Sequence, residues 1–173
     1  NLIKGTCTEV DRKIYRDLVG ILALSESKTF DEKFKEIQEI YKGMAEASKN
    51  FDGMTDLEIF NADAKDYDIE GVKFRLGSMD WDHPDTIDEF LDRMLLVMKS
   101  QVKGISFCRV GFMDHSYILY NGAKKLAETA FGASTRPGIV YCERRLSRKL
   151  DVVPMLTAKI GLCKDKLEDS PVL

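Results

Sequence analysis

A chain of 173 residues with 44% apolar and 32% charged residues and only four prolines can bury a core without a disulfide or metal staple, and its composition is not that of a disordered segment. Its apolar runs fall short of the roughly 18 residues that a membrane span requires, so it reads as one globular domain over residues 1–173 with no membrane partner. The net charge of −3 conceals an asymmetry: residues 1–95 carry 13 Lys/Arg against 22 Asp/Glu, and residues 96–173 carry 13 against 7, leaving an acidic half at −9 and a basic half at +6.

Cys7, Cys108, Cys142 and Cys163 lack CxxC spacing, and no Asn-x-Ser/Thr sequon occurs, which favours a reducing intracellular setting, cytoplasmic or within a viral particle. Asparagine at residue 1 suggests that the natural N-terminus has been removed.

Thr8 opens an amphipathic helix to about Leu24, with Val10, Ile14, Leu18, Ile21 and Leu22 on one side. Ser27 or Thr29 caps a second helix to about Ala47, striped by Phe30, Phe34, Ile37, Ile40, Tyr41 and Met44. Thr55 to Asp68 reads as one or two helical turns followed by loop. Alternation in Val72–Leu76 and in Ile105–Val110 predicts two strands, a short β pair.

Between them lies the best specified helix, from Thr86 to Lys103. Thr86 and Glu89 have capping-box spacing, and Ile87, Phe90, Leu91, Met94, Leu95, Met98 and Val102 repeat at three and four residues. His115–Gly132 is ambiguous. Leu119, Ala123, Leu126, Ala127 and Ala130 form a helical stripe, whereas Asn121-Gly122 could close a strand begun at Tyr117. Ser134 to Pro137 signals another helix to about Leu150, and Pro154 begins a last one to about Leu167. The expected fold is mainly α, about six helices with a short β pair. The alternative is α+β with a small antiparallel sheet, if Tyr117–Tyr120 and Ile139–Cys142 are strands.

The segment Ile139–Leu150, IVYCERRLSRKL, carries the strongest chemical signal. Wound as a helix it gathers Tyr141, Arg144, Arg145, Arg148 and Lys149 within an arc of about 140°, with Ile139, Leu146 and Leu150 opposite. Cations around a tyrosine suit phosphates beside a stacked base, and Arg136, Lys124, Lys125 and Arg109 would widen the patch. The bland reading is a solvated helix face whose cations pair with the acidic half of the same chain or of a neighbouring subunit.

A second cluster, Asp80, Asp82, His83 and Asp85, could hold a divalent metal, Asp80, Asp82 and Asp85 as its ligands, for phosphodiester hydrolysis, although acids also gather at helix starts for electrostatic reasons alone. No phosphate-cradling glycine loop, nucleophile motif or cofactor signature occurs. The expected function is therefore non-enzymatic and cofactor-free: binding of single-stranded nucleic acid, RNA, by a self-assembling nucleocapsid or coat protein. Its partners would be RNA and further copies of itself, acidic half against basic half. The alternatives are a metal-dependent phosphodiesterase and a protein–protein adaptor with a basic docking helix.

Overall fold

The chain divides into two compact units, Asn1–Asn50 and Phe51–Leu173. The computed structural model describes residues 8–47 and 50–163. The first unit is a helical hairpin of α1, Glu9–Ser25, and α2, Phe30–Ala47. Each helix starts on a capping box. The Thr8 hydroxyl accepts from the Asp11 amide at 3.2 Å while Asp11 accepts from the Thr8 amide at 2.8 Å, and Thr29 with Glu32 repeats the pattern. Two lysines tie the turn to α2: Lys33 meets Glu26 at 2.6 Å, and Lys28 meets both Glu26 and Glu36 at 2.8 Å. Tyr15 packs edge-on to Phe34, and Val19 and Ala23 are buried.

The second unit is a five-stranded mixed sheet covered on both faces. Its strands are β1 (Lys65–Ile69), β2 (Val72–Asp80), β3 (Ile105–Phe112), β4 (His115–Asn121) and β5 (Ile139–Cys142), in the spatial order of their numbers. Helix α3 (Asp56–Ala62) precedes the sheet, α4 (Ile87–Ser100) links β2 to β3, α5 (Lys124–Phe131) links β4 to β5, and α6 (Val153–Cys163) follows. Strands β2 and β3 are parallel and every other pair is antiparallel. The parallel pair needs a crossover, which α4 provides.

Alternation along the strands sorts the core into two layers. Phe74, Leu76, Phe107, Ile118 and Val140 face α5 and α6, packing with Leu126, Leu156 and Ile160. Met79, Cys108, Val110, Leu119 and Ile139 face α3 and α4, packing with Phe60, Phe90, Leu91, Met94 and Met98. Of the stripe expected on α4, Phe90, Leu91, Met94, Leu95 and Met98 are buried, Ile87 is half-buried, and Val102 lies past the helix, which ends at Ser100 and not at Lys103.

A mainly α fold with one short β pair is therefore incorrect, and three segments account for the error. Tyr117–Tyr120 belongs to β4, because Asn121-Gly122 ends a strand there: the Asn121 amide donates to the Met98 carbonyl at 3.1 Å and Gly122 takes a φ of 71°. Ile139–Cys142 is β5, so the run to Leu150 is a strand, a connection and a helix start, and its cations never share one helical face. Lys65–Ile69, read as loop, pairs with β2 across the two-residue turn Glu70-Gly71, where both residues have positive φ, 53° and 82°. The small antiparallel alternative fails as well, since β2 and β3 are parallel.

Helix α4 begins at Ile87 after a 3-10 turn over Pro84–Thr86. Thr86 does not cap it, its hydroxyl turning back to the His83 carbonyl at 3.4 Å. The predicted end of the last helix beyond Cys163 lies outside the described residues.

Within the second unit, acids of the earlier half and bases of the later half meet. Arg109 and Arg145 reach Asp80, Arg148 reaches Asp63, and Arg136 reaches Asp88 and Asp92. Four cations of the later half are thus paired with acids of the earlier half in the same chain, which takes them out of the charge argument for head-to-tail assembly.

Candidate anion-binding site

The carboxyl ends of β2 and β3 lie side by side, the edge of an open α/β sheet where ligands bind. On the face toward α5 and α6, Asp80, Arg109 and Gly111 converge there. Arg109 is 7% exposed, and its Nη1 donates to the Asp80 carboxylate at 2.6 Å and to the Met79 carbonyl at 3.1 Å. Gly111 leaves the room this requires, because a Cβ there would collide with the Arg109 guanidinium and the Asp80 carboxylate. Arg145 grips the other Asp80 oxygen at 2.5 Å and donates to the Met113 carbonyl at 2.9 Å, fixing the connection after β5 to this edge.

That connection delivers Ser147 to the start of the next helix. The Ser147 hydroxyl accepts from the Leu150 amide at 3.3 Å, and the Asp151 carboxylate accepts from the Ser147 amide at 2.7 Å. Residues Arg148–Val152 form a single π-helical turn leading into α6, a feature frequent at functional sites. Arg144 pairs with Asp151 at 2.8 Å. Burial pushes the Asp151 carboxyl up, but the Ser147 amide and the Arg144 guanidinium outweigh it and hold the group below its ordinary value.

Arg148 crosses to the far end of the unit's sequence. Its Nη2 lies 2.9 Å from the Asp63 carboxylate and its Nη1 donates to the Asp63 carbonyl. Asp63 precedes β1 by two residues, so this tie fastens the start of β1 to the turn that follows Ser147. Lys65 and Lys149 form no ion pair with any described residue. Arg109 and Arg145 thus meet on Asp80, while Arg144 and Arg148 from the same connection meet Asp151 and Asp63 with Lys149 beside them in the turn, a set of cations suited to phosphate groups.

Five of the nine cationic and aromatic residues singled out from sequence gather here: Arg109, Arg144, Arg145, Arg148 and Lys149. The other four do not. Tyr141 lies on the opposite sheet face beside His115 and Tyr117, at ring separations of 5.0 and 5.6 Å. Arg136 pairs with Asp88 and Asp92 on α4, at 3.2 and 3.3 Å. Lys124 and Lys125 start α5, elsewhere on the unit.

Of the acidic candidates, Asp80 is engaged by two arginines, Asp82 and His83 lie in the connection after β2, and Asp85 sits in the 3-10 turn. Among the described residues no group of three or more His, Cys, Asp or Glu could hold a metal ion. Trp81 is an anchor, stacked on Phe90 at 3.9 Å. Sequence reasoning missed Asp63 and Lys65, whose signal was the alternation of Lys65–Ile69 ahead of a glycine turn.

The family model of the DHHA2 domain matches residues 42–159. The chain belongs to the DHHA2 domain family. A Clostridium acetobutylicum protein named as a manganese-dependent inorganic pyrophosphatase is 28% identical over 162 residues, which are 90% of this chain and 49% of that protein. The manganese-dependent inorganic pyrophosphatase of Methanocaldococcus jannaschii is 24% identical over 87% of this chain and 48% of its own length. A cobalt-dependent inorganic pyrophosphatase of Clostridium perfringens is 30% identical over 88% of this chain and 27% of its own length. This DHHA2 chain therefore spans about half the length of the first two.

The crystal structure of a Methanococcus jannaschii protein assigned to the family II inorganic pyrophosphatases matches the fold with a TM-score of 0.63 at 22% identity, over 90% of this chain and 50% of that one. Membership in the DHHA2 family corrects the functional expectation. RNA as partner and coat-type self-assembly are overturned, since the relatives are named as inorganic pyrophosphatases, and a viral particle gains no support. The phosphodiesterase and adaptor alternatives gain no support either. Among the described residues no helix is long and apolar enough to cross a membrane.

Proposed function

We propose that this DHHA2 chain is the substrate-binding part of an intracellular inorganic pyrophosphatase, and that its basic sheet edge binds the phosphates of pyrophosphate. The observation that carries the reading is the run Arg144–Lys149, which sets Arg145 on Asp80 at the carboxyl end of β2 and Arg148 on Asp63, with Lys149, unpaired among the described residues, next to it in the turn. Pyrophosphate is small and highly charged. Its recognition calls for several fixed cations in place of an apolar pocket, and an arginine fork matches two phosphate oxygens at once.

The arginine pairs at Asp80 and Asp151 hold the two loops at fixed spacing, so the cations need little reordering when the anion arrives. In hydrolysis, cations set on the phosphate oxygens stabilise charge that develops on the leaving phosphate. The described donor set does not fit the manganese or cobalt named for the relatives: Asp80 is taken by Arg109 and Arg145, and no group of three ligand side chains assembles. The role assigned to this chain is therefore binding and orientation of substrate.

Isothermal titration calorimetry with inorganic pyrophosphate tests the reading. Saturable binding to the wild-type chain is expected, weakened at least about tenfold by Arg148→Ala with Lys149→Ala, the loss of two charge-assisted contacts. Equal affinity in the double variant would refute this site.

A further inference from the structure

We infer that Asp63 is a positioning residue for phosphate recognition, holding the Arg148 guanidinium at the turn that carries Lys149; the inference rests on the pyrophosphate reading above. Asp63 ends α3 in a non-helical conformation, φ −134° and ψ 45°, so the chain turns there into β1 with both the carboxylate and the carbonyl of one residue aimed at Arg148. The two contacts fall on different terminal nitrogens of the guanidinium, Nη1 on the carbonyl and Nη2 on Oδ1 at 2.9 Å.

A guanidinium carries five N–H donors, and this grip uses two, leaving three for an incoming anion without release of Asp63. The Arg148 side chain is 14% exposed and that of Asp63 57% exposed, so the arginine is confined while its holder faces solvent. Lys149, next to Arg148 in the chain, and Lys65, two residues after Asp63, have no acidic partner among the described residues. With no ligand present they would drive Arg148 away by like-charge repulsion, and the Asp63 carboxylate opposes that displacement.

Charge alone and positioning predict opposite signs. A carboxylate beside an anion site repels the anion, so a residue that acted only through its charge would lower the affinity, and removing it would tighten binding. A residue that holds Arg148 in place raises the affinity, and removing it would weaken binding.

The test is the pyrophosphate Kd of the 173-residue chain by calorimetry at one ionic strength, for wild type, Asp63→Ala, Asp63→Asn, Asp63→Glu, Arg148→Ala and the Asp63→Ala/Arg148→Ala pair, with each variant's melting curve as a check on folding. Asp63→Ala should raise Kd by about tenfold, the scale of one charged hydrogen bond. Asp63→Glu should recover most of that loss. On the Arg148→Ala background, Asp63→Ala should leave Kd unchanged or lower it, a pattern that a merely structural role would not produce.

Binding as tight as wild type or tighter in Asp63→Ala overturns the positioning role and leaves the pyrophosphate reading intact. Should the alanine variant not fold, Asp63→Asn decides by the same sign with a smaller change. No binding by the wild type overturns the pyrophosphate reading, and this inference with it.

Discussion

Arg109 shows how one residue can organise an edge. Its guanidinium is carried into a nearly closed position only because Gly111, two residues along the same strand face, has no side chain, and Asp80 then supplies the counter-charge that burial demands. Gly111→Ala should therefore destabilise the chain by roughly 1–3 kcal/mol, since either Arg109 or β3 must shift to admit the methyl group. Urea unfolding measures it. A midpoint equal to wild type would mean that Arg109 has another place to lie. The residue-level signal was partly legible in sequence: an arginine between Cys108 and Val110 stands out in an apolar strand, but nothing in the one-dimensional order links it to Asp80, 29 positions earlier.

Elements were legible where one period ran long enough to be measured. Helices α1, α2 and α4 each present 14 to 18 residues of helical spacing. Strands β1 and β5 have five and four residues, too few to separate alternation from a fragment of helix. The hairpin of α1 and α2 makes its own prediction from charge. Hydrogen bonds from Lys28 and Lys33 hold the Glu26 carboxyl at about 2, below its ordinary 4.5. A depressed carboxylate pKa means stability that is complete above pH 4.5 and is lost as pH falls from there through 2. Carboxyl NMR titration of Glu26 should find the low value, with helicity of α1 and α2 declining only over that window. Titration at the ordinary value would show that the lysine contacts do not persist in solution.

At the scale of the molecule, the sheet explains why a segment with the chemistry of an anion site was readable and its form was not. Arg144, Arg145, Arg148 and Lys149 were picked out because cations crowd six positions, which any fold would have to accommodate. Their arrangement depends on contacts with Asp80 and Asp63, 65 and 85 residues away, set by the parallel pairing of β2 with β3 and by the β1 hairpin. Charge halves counted along the chain cannot reveal that the fold pairs Asp63, Asp80, Asp88 and Asp92 with arginines of the later half.

We propose that pyrophosphate is held at the carboxyl edge of this DHHA2 sheet. Backbone amide shifts recorded during titration with inorganic pyrophosphate test it most directly. Saturable changes confined to Asp63–Lys65 and Ser147–Asp151 are the predicted result. No change at those residues, or changes centred on the cavity lined by Lys99, Lys124 and Arg136, would contradict it.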